Sequence, residues 1–204
     1  MTAATVHSAI EPAETPLTPE SWGKLGMWVF LVGDAVGFGV LLAGYGAMRA
    51  TSGDWPRPFD VLGINLTALM TFLLICSSVT MVKALEWLGK GDRGRAMQFL
   101  FYTALGGAIF VSCQAYEWSH LIHEGLHINQ NPWGATLFGT SFFLVTGFHG
   151  LHVTGGVLYL LSIIRYVGNR PAPAASYNAV EIVGLYWHFV DLVWIMVFTF
   201  MYLL

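Results

Sequence analysis

Five stretches of more than twenty residues each, about 25–48, 61–82, 96–116, 134–164 and 182–204, contain almost no ionised side chain. A helix needs about 20 apolar residues to cross the roughly 30 Å hydrocarbon layer of a bilayer, so each stretch is long enough to span. Lipid offers no partners to backbone N–H and C=O groups, and a helix satisfies those groups within the segment. The strands of a membrane barrel would be about half as long and would alternate in polarity. Charged residues make up only 10% of the chain and hydrophobic residues 55%, whereas a soluble domain is about 25% charged. The expected fold class is therefore all-α, a polytopic membrane protein of five transmembrane helices.

Residues 1–20 carry Glu11, Glu14 and Glu20, three prolines and no basic residue. They lack the positive n-region of an export signal and read as a flexible polar tail ahead of a helix capped by Ser21 or Thr18. The membrane domain is 21–204. Lys24, Lys83, Lys90, Arg93, Arg95, Arg165 and Arg170 fall on one side of a five-span arrangement, and only Arg49 and Arg57 on the other. The positive-inside rule then places the N-terminus inside and the C-terminus outside. His120, His123 and His127 belong to an external connection. Cys76 and Cys113 lie in separate spans and read as small buried apolar groups, not as a disulfide pair. No connection is long enough for a separate soluble core, so function resides in the membrane helices or in a partner.

Polar residues inside the spans are the functional candidates. Asp34 sits among Gly26, Gly33, Gly37 and Gly44, whose spacing of seven, four and seven makes a shallow seam for another backbone. A carboxylate at mid-span costs about 2.5–3.5 kcal/mol on the insertion scale and should face protein, water or a polar lipid group. In the last span Glu181, His188 and Asp191 fall near one helical face, with Trp187 and Trp194 seven apart close by. They suit either a structural network or proton handling. Glu117, His120 and His123 recur at helical spacing. That spacing serves either a carboxylate-bridged metal bundle or a polar collar at the membrane edge. In TGFHGLHVTGG, His149 and His152 share a face thinned by Gly147, Gly150, Gly155 and Gly156. The imidazoles can reach acceptors on a closely packed neighbour, and haem ligation is the competing use.

TGFHGLHVTGG, with YWHFVDLVWIMVFTFMYL and the earlier LVGD and QAYEW, resembles subunit III of the haem-copper respiratory oxidases over nearly the whole chain after Ser21. The resemblance is to the five-helix form of that subunit. It implies a non-catalytic core subunit that packs directly on oxidase subunit I, beside subunit II and small subunits. It also implies that the chain holds phospholipid and supports sustained oxygen reduction and proton uptake. Asp34 falls at the family's membrane carboxylate, glutamate in many cytochrome c oxidases and aspartate in some quinol oxidases. Glu117, His149, His152, Glu181, His188 and Asp191 match the family's other polar positions, and none of these is a redox-metal ligand there. No catalytic residue, metal or cofactor is expected in this chain, with haem and copper in the partner subunits. A cytochrome c oxidase is the favoured assembly. A quinol oxidase or a nitric oxide reductase accessory role is the alternative, and a His/carboxylate membrane metalloenzyme the alternative of a different class. Membership of a respiratory supercomplex is compatible with the resemblance, nucleic acid is not an expected partner, and the location implied is the bacterial plasma membrane.

Overall fold

The computed structural model describes residues 21–169 and 176–204, so the polar tail and Arg170 lie outside the described residues. Five long helices carry the chain: α1 Trp22–Thr51, α2 Ile64–Gly89, α3 Arg93–His123, α4 Thr136–Asn169 and α5 Tyr177–Phe198, the last continued by a π-helical turn, Thr199–Leu203. All five are long and apolar enough to cross a membrane, with the π-turn included in the fifth span. The helices outrun the uncharged stretches, because their ends reach past the hydrocarbon to capped, charged positions.

Local chemistry sets those ends. Ser21 caps α1 by accepting from the Lys24 N–H at 3.0 Å, and Asp92 caps α3 by accepting from that of Arg95, also at 3.0 Å. These side chains satisfy N–H groups that a helix start leaves orphaned. Gly91, at φ +81°, turns the chain between α2 and α3. The second span begins later than the apolar run suggests: Pro58–Val61 forms a separate one-turn helix, and Ile64 opens α2. The fourth also begins late. Gly134 has φ +144°, and a Cβ there would collide with the Asp54 carbonyl. That carbonyl accepts from the Ala135 N–H at 3.0 Å, stitching the α1–α2 connection to the α3–α4 connection.

Helices α2, α3, α4 and α5 close a ring in which each packs on the next, and α1 lies outside it against α4 and α5. Helix α5 is the most enclosed of the five and α1 the least. The ring's interior is filled by Met70, Leu74, Phe110, Phe142, Trp187 and Trp194, all inaccessible. Cys76 faces outward and Cys113 is half-buried; both are free thiols. The reading as a buried group is thus corrected for Cys76, whose position faces away from the ring, whereas Cys113 packs against the core.

The glycines divide by helix. On α4 they meet neighbours: a Cβ at Gly156 would stand 2.9 Å from the Trp187 ring, and one at Gly150 2.8 Å from Gln114 Oε1. On α1, Gly26, Gly33, Gly37 and Gly44 have nothing within 4 Å. The seam expected on the first span is therefore not filled by another helix of this chain.

Candidate functional site: a polar spine inside the helix bundle

The in-span polar residues divide into two groups. The first joins α1 to α4. Asp34 Oδ1 lies 3.2 Å from His152 Nε2, with the two side chains 10% and 15% exposed. His152 Nδ1 lies 2.7 Å from the Phe148 carbonyl, one turn back on α4. A carbonyl can only accept, so Nδ1 carries a hydrogen. Nε2 and the Asp34 carboxyl can then bond only if one proton sits between them, on either atom. The pair is thereby satisfied with no net charge whichever atom carries that proton. This suits the membrane interior, where an unpaired ion is costly. The Tyr186 hydroxyl donates to the His152 carbonyl at 2.9 Å and so ties α5 to the same turn. Phe38 covers His152 edge-on, with ring centroids 5.3 Å apart.

His149 shares the sequence motif but not the contact. It is fully buried, its ring 4.9 Å from Trp194 and 5.6 Å from Phe110, and neither nitrogen has a hydrogen-bond partner among the described residues. Of the two imidazoles, only His152 reaches an acceptor on a neighbouring helix.

The second group is a ladder between α5 and α2. Trp187 Nε1 donates to Ser77 Oγ at 3.0 Å, Ser78 Oγ donates to Asp191 Oδ2 at 2.8 Å, and Trp194 Nε1 donates to Thr71 Oγ1 at 2.8 Å. At its end the buried Glu117 of α3 accepts from Thr67 at 2.9 Å and from Tyr202 at 3.0 Å. The π-turn carries Tyr202 inward to make that bond. The order of the rungs shows α5 running antiparallel to α2. Ser77, Ser78, Thr71 and Thr67 were not singled out from the sequence. Their signal was hydroxyls recurring in INLTALMTFLLICSSVTM, a pattern that any membrane helix can satisfy with its own i−4 carbonyls.

The remaining candidates sit apart. Glu181 pairs with Lys24 at 2.9 Å, joining the starts of α5 and α1. His188 is half-buried and makes no ion pair or hydrogen bond with Asp191, which turns to Ser78 instead. So Glu181 lies apart from the other two, while His188 and Asp191 stay within electrostatic reach of one another. Glu117 likewise parts from its sequence neighbours: it points inward, while His120 faces out and lies 3.6 Å from Glu124. Among the described residues no group of three or more His, Cys, Asp or Glu side chains could hold a metal ion. Asp34, Glu117, Asp191 and Glu181 each meet a partner on a different pair of elements.

Comparison with known proteins gives this geometry its family. Residues 15–204 match the family described as Cytochrome c oxidase subunit III. The chain is 34% identical over 180 residues to "Quinol oxidase subunit 3" of Bacillus spizizenii, covering 88% of this chain and 86% of that one. It is 36% identical over 200 residues to "Probable cytochrome c oxidase subunit 3" of Nocardia farcinica, covering 97% and 96%. It is 32% identical over 180 residues to "Cytochrome bo(3) ubiquinol oxidase subunit 3" of Pseudomonas putida, covering 88% and 84%. The chain is thus a multi-pass membrane protein that belongs to the cytochrome c oxidase subunit III family.

Proposed function

We propose that this chain is the supporting subunit of a bacterial terminal oxidase of the quinol-oxidising type, packing on the redox subunit and taking no part in the electron transfers. The observation that carries the reading is the likeness over almost the whole membrane domain to quinol oxidase subunits of Bacillus and Pseudomonas. Asp34 supports it from within the chain, as an aspartate where the family also uses glutamate. In this reading the fastened ring α2–α5 is a rigid flank, α1 with its open glycine seam faces outward, and the Asp34–His152 pair joins them. Haem and copper belong to companion subunits, and phospholipid and subunit I are the direct partners. The cation-rich end, with Lys24, Lys83, Lys90, Arg93, Arg95 and Arg165, lies inside, and residues 1–20 are a polar tail.

A cytochrome c oxidase is the second reading, favoured by the Nocardia relative, which matches over more of the chain than the quinol oxidase subunits do. One measurement separates them. Oxygen consumption by the purified complex should run on a reduced quinol and not on reduced cytochrome c. Turnover on cytochrome c alone would overturn the quinol reading and leave the supporting role in place.

A further inference from the structure

Glu117 is 3% exposed, yet it lines a cavity of about 650 Å³ beside the start of α2 and the end of α3. Asp60, His120 and Glu124, all exposed, stand in this cavity with Leu62, Leu66 and Trp133. A space of that size holds several waters at about 30 Å³ each, and its polar side chains give them partners. The buried carboxyl is therefore within reach of the aqueous phase on the side of the 124–135 connection. The titratable groups facing it come from three elements: Tyr116, His120 and Glu124 from α3, Asp60 from the short helix, and Tyr202 from the π-turn. Among the described residues α2 contributes no titratable group to the cavity, and no lysine or arginine lines it. Glu117 thus meets hydroxyls and acidic neighbours, and no fixed cation commits it to the ionised form.

The hydrogen bonds around Glu117 fit two protonation states. Thr67 Oγ1 lies 2.9 Å from Glu117 Oε1 and 3.2 Å from the Gly63 carbonyl, one turn back. A hydroxyl has one hydrogen and serves one of these acceptors at a time. With Glu117 ionised, Thr67 donates to Oε1. With a proton on Oε1, the carboxyl donates to Thr67 and the Thr67 hydrogen turns to the Gly63 carbonyl. That carbonyl also accepts from the Thr67 N–H at 3.1 Å. Its two lone pairs accommodate both donors. Tyr202 donates to Oε2 in either state. Each of these groups stays satisfied, and no heavy atom has to move.

We propose that Glu117 is a proton-exchange site that takes up and releases a proton through this cavity, the Thr67 hydroxyl turning between Glu117 and the Gly63 carbonyl as it does. The proton that leaves Oε1 passes to water in the cavity, and the Thr67 hydrogen takes its place in the bond. The inference needs only the membrane fold, and it holds whichever electron donor the assembly uses.

The test is infrared difference spectroscopy of the whole purified complex between acidic and alkaline buffer, in ordinary and in heavy water. Subtracting the Glu117→Gln spectra from those of the wild type should isolate one protonated-carboxyl band that grows as the pH falls. Heavy water should shift that band within minutes. Asp60→Lys, at an exposed position, puts a cation in the cavity and favours the ionised carboxyl, so the band should emerge only at lower pH. Thr67→Ser keeps the hydroxyl and should leave the band in place. Thr67→Val removes it and should move the band to higher frequency, since the carboxyl loses its partner. No pH-dependent band lost in Glu117→Gln would overturn the proposal, as would a band unshifted after hours in heavy water or a pH unchanged by Asp60→Lys. A Thr67→Val spectrum equal to the wild type would overturn the part given to Thr67. Should Thr67→Val fail to assemble into the complex, the heavy-water shift and Asp60→Lys decide. The band is read without turnover, so a failed oxidase reading would leave it intact.

Discussion

The 3.2 Å contact between Asp34 and His152 makes their contributions interdependent. Replacing one partner strands the other: His152→Leu leaves a carboxylate among apolar side chains, and removing one member of a buried pair typically costs about 3–5 kcal/mol. Replacing both, Asp34→Leu with His152→Leu, removes the charge problem together with the bond. The double variant should therefore be more stable than His152→Leu alone, a non-additivity that two independent contacts would not give. Thermal unfolding of this subunit within the purified complex measures it, and additive losses would refute the direct Asp34–His152 pair. A milder prediction belongs to Tyr202. Tyr202→Phe removes one of two donors to the buried Glu117 and should cost about 1–3 kcal/mol, since it leaves an acceptor position unsatisfied. At this scale the sequence was informative about cost but not about pairing. Asp34 stood out because a mid-span carboxylate is expensive on any helix. That its partner is His152 and not His149, three residues away on the same helix, depends on where α1 lies against α4, and no spacing within one helix encodes that. Glu117 and His120 show the same limit: i,i+3 spacing made them neighbours, yet the position of α2 turns one inward to Thr67 and leaves the other at the surface.

Among the helices, the α5–α2 ladder and the α4 glycines fix the ring, whereas α1 is attached by fewer contacts. Interhelical hydrogen bonds in membranes contribute about 0.6 kcal/mol each, so the rungs specify register more than they supply stability. Packing is the larger effect. Gly107 and Gly156 both face the Trp187 ring, and added side chains there would overpack the interior. Gly107→Leu and Gly156→Leu should each destabilise the subunit by about 1–3 kcal/mol. Gly37→Leu, which meets nothing within 4 Å, should alter the bundle itself by no more than about 0.5 kcal/mol. Protease resistance of the subunit separates the two classes, and equal sensitivity at Gly37 and Gly156 would remove the distinction. The number of helices was legible because hydrophobic length is a one-dimensional property. Which glycine seam is used within the chain was not: both the α1 and the α4 series suit close packing, and among the described residues only the α4 set meets a neighbouring helix. A seam is filled according to which helices the connections bring together, and the three-residue turn at Lys90–Asp92 holds α2 beside α3.

For the molecule as a whole, no three His, Cys, Asp or Glu side chains cluster for a metal among the described residues, and the proposed division of labour can be examined by removing the chain. A complex lacking it should keep the optical haem spectrum of its large subunit, because on this reading no haem or copper ligand is contributed from here. Initial oxygen consumption should remain substantial for the same reason. What should fall is durability. Loss of a five-helix flank would expose partner surface to lipid. It would also remove helix–helix packing that apolar attraction cannot replace in a bilayer. The His152→Leu complex should show a weaker form of the same decline, since it loosens α1 without removing the ring α2–α5. The measurement is paired: haem content, and oxygen consumption followed over many turnovers, in complexes with the chain, without it and with the variant, all in one lipid mixture. Inactivation should be fastest without the chain, intermediate for His152→Leu and slowest for the wild type, at equal haem content. Immediate haem loss on removing the chain would contradict the assignment of the redox centres to the companion subunits, and identical inactivation rates in all three would contradict a supporting role.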